Sequence, residues 1–139
     1  MITALVVNHD IDLADAEADS LRRHGFEVRQ CGGPIGAHCP ILSGRPCTLV
    51  EGVDVLVYDA WATGEPDGAR ALIEGLRDYH PGIPIVLVAP GIEPAWMELA
   101  GTHGVTPLVA APTGDRLAAA IREALGAPVP PASDPIAVA

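Results

Sequence analysis

The sequence predicts an α/β fold, a doubly wound sheet of five parallel strands with helices on both faces. Three observations carry that expectation. Short, near-continuous runs of Val, Ile, Leu and Ala recur along the chain, as strands covered on both faces require. Stretches with apolar residues at helical spacing alternate with those runs, the pattern of βα units joined by right-handed crossovers. The runs also end abruptly in polar or turn-forming residues, most plainly at Val53-Asp54-Val55-Leu56-Val57-Tyr58-Asp59. Chemistry in such sheets gathers at the carboxyl ends of the strands, so the other strands are read by what they bring towards Asp59.

Residues 2–7 form the first expected strand, ending in Asn8-His9-Asp10. A helix is predicted over 12–24. Asp10 or Asp12 caps it, Leu13, Ala14, Glu17, Ala18 and Leu21 follow helical spacing, and Gly25 ends it. Residues 26–30 alternate and read as a second, less buried strand. The central strand spans 53–59, and a helix over 68–79 turns Ala69, Leu72, Ile73 and Leu76 inward. Pro81-Gly82 marks a turn before a fourth strand over 83–89, which Pro90-Gly91 stops. Pro94 opens a short helix over 94–100 with Trp96 and Leu99 as packing residues. A fifth strand covers 105–110. Thr113 or Asp115 caps a last helix that runs to Leu125 and buries Leu117, Ile121 and Leu125. The Pro- and Ala-rich residues 126–139 carry no periodic face and are expected to be a disordered tail.

A flavodoxin-like strand order, 2-1-3-4-5, sets the ends of strands one and three side by side in a three-layer αβα arrangement. Residues 1–125 are then one domain, interrupted at 31–52. That stretch holds Gly32, Gly33, Gly36, Gly44 and Gly52 with Pro34, Pro40 and Pro46, a spacing through which no ordinary helix runs.

Bulk composition narrows the partners. The chain has 139 residues, enough for a proper core, and is 49% hydrophobic but only 4% aromatic, so aliphatic side chains must build that core. A formal charge of −10 argues against nucleic acid, which needs clustered Lys and Arg; Arg22-Arg23 is the one local exception. No apolar run reaches the length of a membrane span, and the N-terminus lacks the basic start and cleavage site of a signal peptide. A cytoplasmic protein without membrane contact is expected. In that compartment, grouped cysteines point more often to metal or redox chemistry than to stable disulfides.

Several segments together resemble the receiver domain of two-component response regulators. Leu5-Val6-Val7-Asn8-His9-Asp10 resembles the acidic opening of receivers, and the strand ending at Asp59 looks like the one that carries the phosphorylated aspartate. Pro66-Asp67-Gly68 is similar to the loop that follows. His80-Pro81-Gly82-Ile83-Pro84 with Ile85 to Val88 is similar to the fourth strand and its turn. Gly104-Val105 through Ala111-Pro112, then Asp115-Arg116-Leu117, is similar to the fifth strand and final helix. The resemblance implies a signalling module with Asp59 at the phosphoacceptor position. It also locates departures. Receivers hold Mg²⁺ with two acids where this chain has Asn8 and His9, with Asp10 one residue late. Their strand-four hydroxyl is Ala89 here, their lysine is Ala111, and their strand-five aromatic is Leu108. An acyl phosphate needs a cation and a fixed positive group against the transferring phosphoryl. Asp59 is therefore expected not to be phosphorylated, and Mg²⁺ is not an expected cofactor. The plainest role for Asp59 is a solvated strand end, and the alternative is a retained ligand-sensing or metal role with His9 and Asp10. His9 reads first as a surface histidine capping the first helix. His24, His80 and His103 lie at helix ends or turns, where a cation is favourable.

Cys31, Cys39 and Cys47 are spaced eight apart, within 17 residues, and His38 adjoins Cys39. Three thiolates with His38 or a distant His as the fourth ligand would suit Zn²⁺. Cys39-Pro40 and Pro46-Cys47 suit an iron–sulfur cluster, and a thiol switch or disulfide with one cysteine left over is the third reading. Simple packing of small thiols is the fourth. In every case the loop, poor in large apolar residues, is expected to be held together by its cysteines.

These readings converge on two functions. The first is a non-enzymatic regulatory module that binds a protein partner or a second copy of itself. Its expected surface is the face that receivers form from their fourth and fifth helices and fifth strand, here Trp96, Leu99, Leu108 and residues 115–125. The second is a small metal or thiol-redox sensor built on the cysteine loop. An enzyme using Asp59, His9 and Asp10 is a weaker third, with no nucleophile–base pair or Gly-rich phosphate loop behind it.

Overall fold

The computed structural model describes residues 1–32, 39–41, 43–59, 68–89, 104–109 and 111–126, the side chains of 68–71 excepted. Five strands, β1 Thr3–Val7, β2 Glu27–Cys31, β3 Val55–Asp59, β4 Ile85–Val88 and β5 Val105–Leu108, form one sheet in the order β2-β1-β3-β4-β5. Every pairing is parallel. Three helices are described, α1 Ile11–Arg23, α2 Gly68–Tyr79 and α3 Gly114–Gly126. The expected flavodoxin-like order is the observed one.

Alternation along the strands divides the core into two. Ala4, Val6, Val55, Val57, Val86 and Val88 face α1 and α3, where Ala14, Ala18, Leu21, Leu117 and Ile121 meet them. Leu5, Val7, Leu56, Tyr58, Ile85 and Leu87 face the other way, towards Leu72, Ile73 and Leu76 of α2. Strands buried on both faces need no polar alternation, which is why β1, β3 and β4 are so uniformly aliphatic.

The strands are shorter than the apolar runs suggest, except that β2 continues one residue further, to Cys31, because Cys31 pairs with Val7. Asp10, not His9, is the N-cap of α1: its Oδ1 accepts the Leu13 N–H at 3.1 Å and its carbonyl accepts that of Ala14 at 2.9 Å. Leu13 is exposed, because the buried stripe of α1 runs through Ala14, Glu17, Ala18 and Leu21 instead. Thr113 caps α3, its Oγ1 accepting the Arg116 N–H and its carbonyl that of Leu117. Leu125 is half-buried against the core. The expected short helix with Trp96 and Leu99, His103, and the tail beyond Gly126 lie outside the described residues.

The segment 39–53 completes the layer that α2 begins. It is a chain of turns: Ser43 N–H donates to the Cys39 carbonyl, Arg45 to Pro40, Val50 to Cys47 and Val53 to Val50. The expectation that cysteines alone hold it together is corrected by Ile41 and Val50, both buried in the α2-side core. Ile41 seats so closely on α2 that a Cβ at Gly75 would stand 2.6 Å from its Cγ2. Arg29 reaches the Glu51 carbonyl from β2, and the Cys47 N–H donates to Nε2 of His80 at 3.1 Å.

Candidate functional site

The strand order brings Asn8 and Asp59 together at the carboxyl edge of the sheet. Val7 pairs with Tyr58 on one side and with Cys31 on the other. One residue further along, Asn8 follows β1 beside Asp59, and its N–H donates to the Cys31 carbonyl at 3.1 Å. Asn8 is buried, and its Oδ1 accepts the Asp10 N–H at 2.9 Å, fixing the turn into α1. Its Nδ2 is also buried and meets no acceptor in hydrogen-bonding geometry among the described residues. Asp59 is half-buried. His9 is exposed and Asp10 is engaged in capping, so the buried polar side chain at the end of β1 is the neutral amide of Asn8.

Glu17 supplies what the loop does not. It sits 8% exposed on the buried stripe of α1. Burial pushes its carboxyl up to about 7, the negative charge of Asp59 adds to the shift, and the nearby Asn8 amide opposes it. The amide thus lies near enough to favour the anion without a well-formed hydrogen bond to it. The buried Glu17 carboxyl therefore feels the charge of Asp59 and holds its proton close to neutrality. The signal for Glu17 was present in the sequence: a charged residue inside an apolar helical stripe, flanked by the small Ala14 and Ala18.

The remaining positions of the expected pocket bring no charge of their own. Ala89 is buried, its N–H bonded to the Leu108 carbonyl. Ala111 is exposed, and its carbonyl accepts from Thr113 N–H and from Nη1 of Arg116. Leu108, where an aromatic was expected by resemblance, is half-buried on β5.

Tyr58 lies completely buried beside this edge, and its hydroxyl has no hydrogen-bond partner among the described residues. Burial foremost, then the neighbouring Cys39, Asp59 and Cys31, disfavours its phenolate. The three cysteines are half-buried and line one apolar cavity of about 40 Å³, with Leu5, Val7, Ile41, Val50 and Leu76 among its walls. None is in a disulfide. Among the described residues no group of three or more His, Cys, Asp or Glu side chains is placed to hold a metal ion. The described thiols thus border a shared apolar cavity. His38 lies outside the described residues.

No protein-family model matches the sequence, and no curated protein matches it. Solved structures do match. NtrX from Brucella abortus, solved with ADP, is 24% identical over 90% of this chain, with a TM-score of 0.67; this chain spans only 26% of it. A response regulator receiver domain protein from Clostridium thermocellum is 15% identical, covers 90% of this chain and 94% of its own, and has a TM-score of 0.68. A response regulator from Burkholderia pseudomallei, solved with a phosphorylated aspartic acid, a calcium ion and citrate, is 22% identical over 87% of this chain and 66% of its own, at a TM-score of 0.66. At these identities the likeness is one of fold: the five-stranded parallel sheet with helices found in receiver domains.

Proposed function

We propose that this protein is a receiver-like regulatory module that is not an enzyme and acts by binding a protein partner, without phosphorylation of Asp59. The observation that carries the reading is the company Asp59 keeps. In the Burkholderia pseudomallei regulator a phosphorylated aspartate occurs with a calcium ion. Here the expected acid positions hold buried Asn8 and exposed His9, and Asp10 caps α1. A cation in the same place would meet the Asn8 Nδ2, a donor, while the Asn8 oxygen is already engaged by Asp10 N–H. That donor set does not suit Mg²⁺, which takes oxygen ligands in a near-ideal octahedron. Glu17, buried near enough to Asp59 to feel its charge, adds a second carboxyl to this edge and no positive group to offset a phosphoryl adduct.

The partner surface carried over from receivers includes Leu108, half-buried, and the exposed Asp115, Arg116, Arg122 and Glu123 of α3, with Val109 49% exposed at its edge. A protein partner or a second copy in a homodimer suits this mixed surface; the acidic chain does not suit nucleic acid. No helix among the described residues is long and apolar enough to cross a membrane. Equilibrium dialysis of Mg²⁺ against the wild type and Asp59→Asn tests the site directly. Equal, negligible binding by both supports the reading, and Mg²⁺ uptake that disappears with Asp59 contradicts it.

A further inference from the structure

We propose that Cys31 and Cys39 form a modification site, a thiol pair that a low-molecular-weight disulfide oxidises to a Cys31–Cys39 bond. The two belong to different parts of the fold: Cys31 closes β2, and Cys39 belongs to the turns that cover the sheet beside α2. They meet at one apolar cavity of about 40 Å³, so their sulfurs have room to move that a filled core would deny them.

Cys47 borders the same cavity, and one bond distinguishes it. Its backbone N–H is tied to His80, just past the end of α2. Cys31 and Cys39 both lie near enough to the buried Tyr58 hydroxyl to disfavour its phenolate. Both are half-buried, which leaves a small disulfide a route to them.

The exchange balances without a further reactant. The thiolate of one cysteine attacks the small disulfide, whose S–S bond breaks; a mixed disulfide forms and one small thiol leaves with a proton. The second cysteine then displaces the other small thiol and gives up its own proton. Two electrons pass from the protein thiols to the small disulfide. The product ties β2 to the covering segment. It does so next to Asn8, whose N–H is bonded to the Cys31 carbonyl. The pair thus gives the carboxyl edge a redox input that is independent of whether Asp59 is phosphorylated.

The test incubates the full chain with oxidised glutathione at about pH 8, close to the ordinary thiol pKa, then alkylates and maps the peptides. The expected product has lost two thiols, carries no glutathione, links Cys31 to Cys39, leaves Cys47 alkylated and reverts with dithiothreitol. Cys47→Ser should form the bond as the wild type does, while Cys31→Ser and Cys39→Ala should not. Circular dichroism confirms that each variant is folded beforehand. Three alkylated thiols, a bond that includes Cys47, a mixed disulfide as end product, or a bond formed only in denaturant would each overturn the proposal.

Discussion

His24 Nε2 lies 2.8 Å from the Asp115 carboxylate while its Nδ1 lies 2.8 Å from the Ser20 carbonyl. Both partners can only accept, so the two bonds together require the doubly protonated ring. The imidazolium is thereby a clasp between the end of α1 and the start of α3, where Gly114 leaves room: a Cβ there would stand 2.7 Å from Ser20 Oγ and 3.0 Å from His24 Cε1.

The Ser20 carbonyl first and the Asp115 carboxylate next raise the His24 pKa above its ordinary 6.5. The sign follows from linkage: the folded state binds this proton more tightly than the unfolded chain. The stabilisation is complete below 6.5 and disappears as pH rises through the folded value. His24→Gln should therefore lower the melting temperature in acid and change little in alkali. An equal loss at both ends of the range would show that the charge plays no part.

Glu17 obeys the same sign for a different reason. Its carboxyl is raised from 4.5 to about 7, so the folded protein is favoured by the bound proton below 4.5 and loses that advantage as pH rises through about 7. Glu17→Gln removes the buried charge and should stabilise the protein in mild alkali by up to roughly 3 kcal/mol, with little effect in acid. Urea unfolding at the two extremes measures it. Parallel pH profiles for variant and wild type would mean that Glu17 ionises in the fold without cost.

Gly75 in α2 reverses a usual rule. Alanine ordinarily improves a helix interior by about 1 kcal/mol over glycine. Here the new methyl would stand 2.6 Å from Ile41 Cγ2 and 3.5 Å from the Ile41 carbonyl oxygen. Gly75→Ala should destabilise the wild type, and should become neutral or stabilising in an Ile41→Ala background that itself costs roughly 2–3 kcal/mol. A double-mutant cycle by chemical denaturation reads the coupling, and additive effects would place Ile41 away from α2.

His80→Ala deletes the acceptor of the Cys47 N–H. The expected loss is about 1 kcal/mol, concentrated in the covering segment. Amide exchange should quicken around Cys47 and leave β1 and β3 protected. Uniformly faster exchange would indicate that the bond supports the whole fold.

The sheet was legible because Leu5, Val57 and Leu87 belong to runs whose only satisfactory place is between two covering layers. The adjacency of Asn8 and Asp59 was legible, since strand ends follow from strand order. Glu17 escaped because helical spacing shows which face a residue occupies and not which charge it will meet; only the β1–β3 pairing sets Asp59 near the strand from which α1 departs. The cysteine segment departs from its expected packing for a similar reason. Spacing in sequence showed three thiols close together, but Ile41 and Val50, ordinary in isolation, become anchors once Leu72 and Leu76 lie opposite them.

The most direct measurement of the central claim is the intact mass of the protein after incubation with acetyl phosphate and Mg²⁺, beside Asp59→Asn. With buried Asn8 and the Glu17 carboxyl beside Asp59, the account predicts unchanged mass for both chains. A phosphate adduct on the wild type that is absent from Asp59→Asn would contradict it.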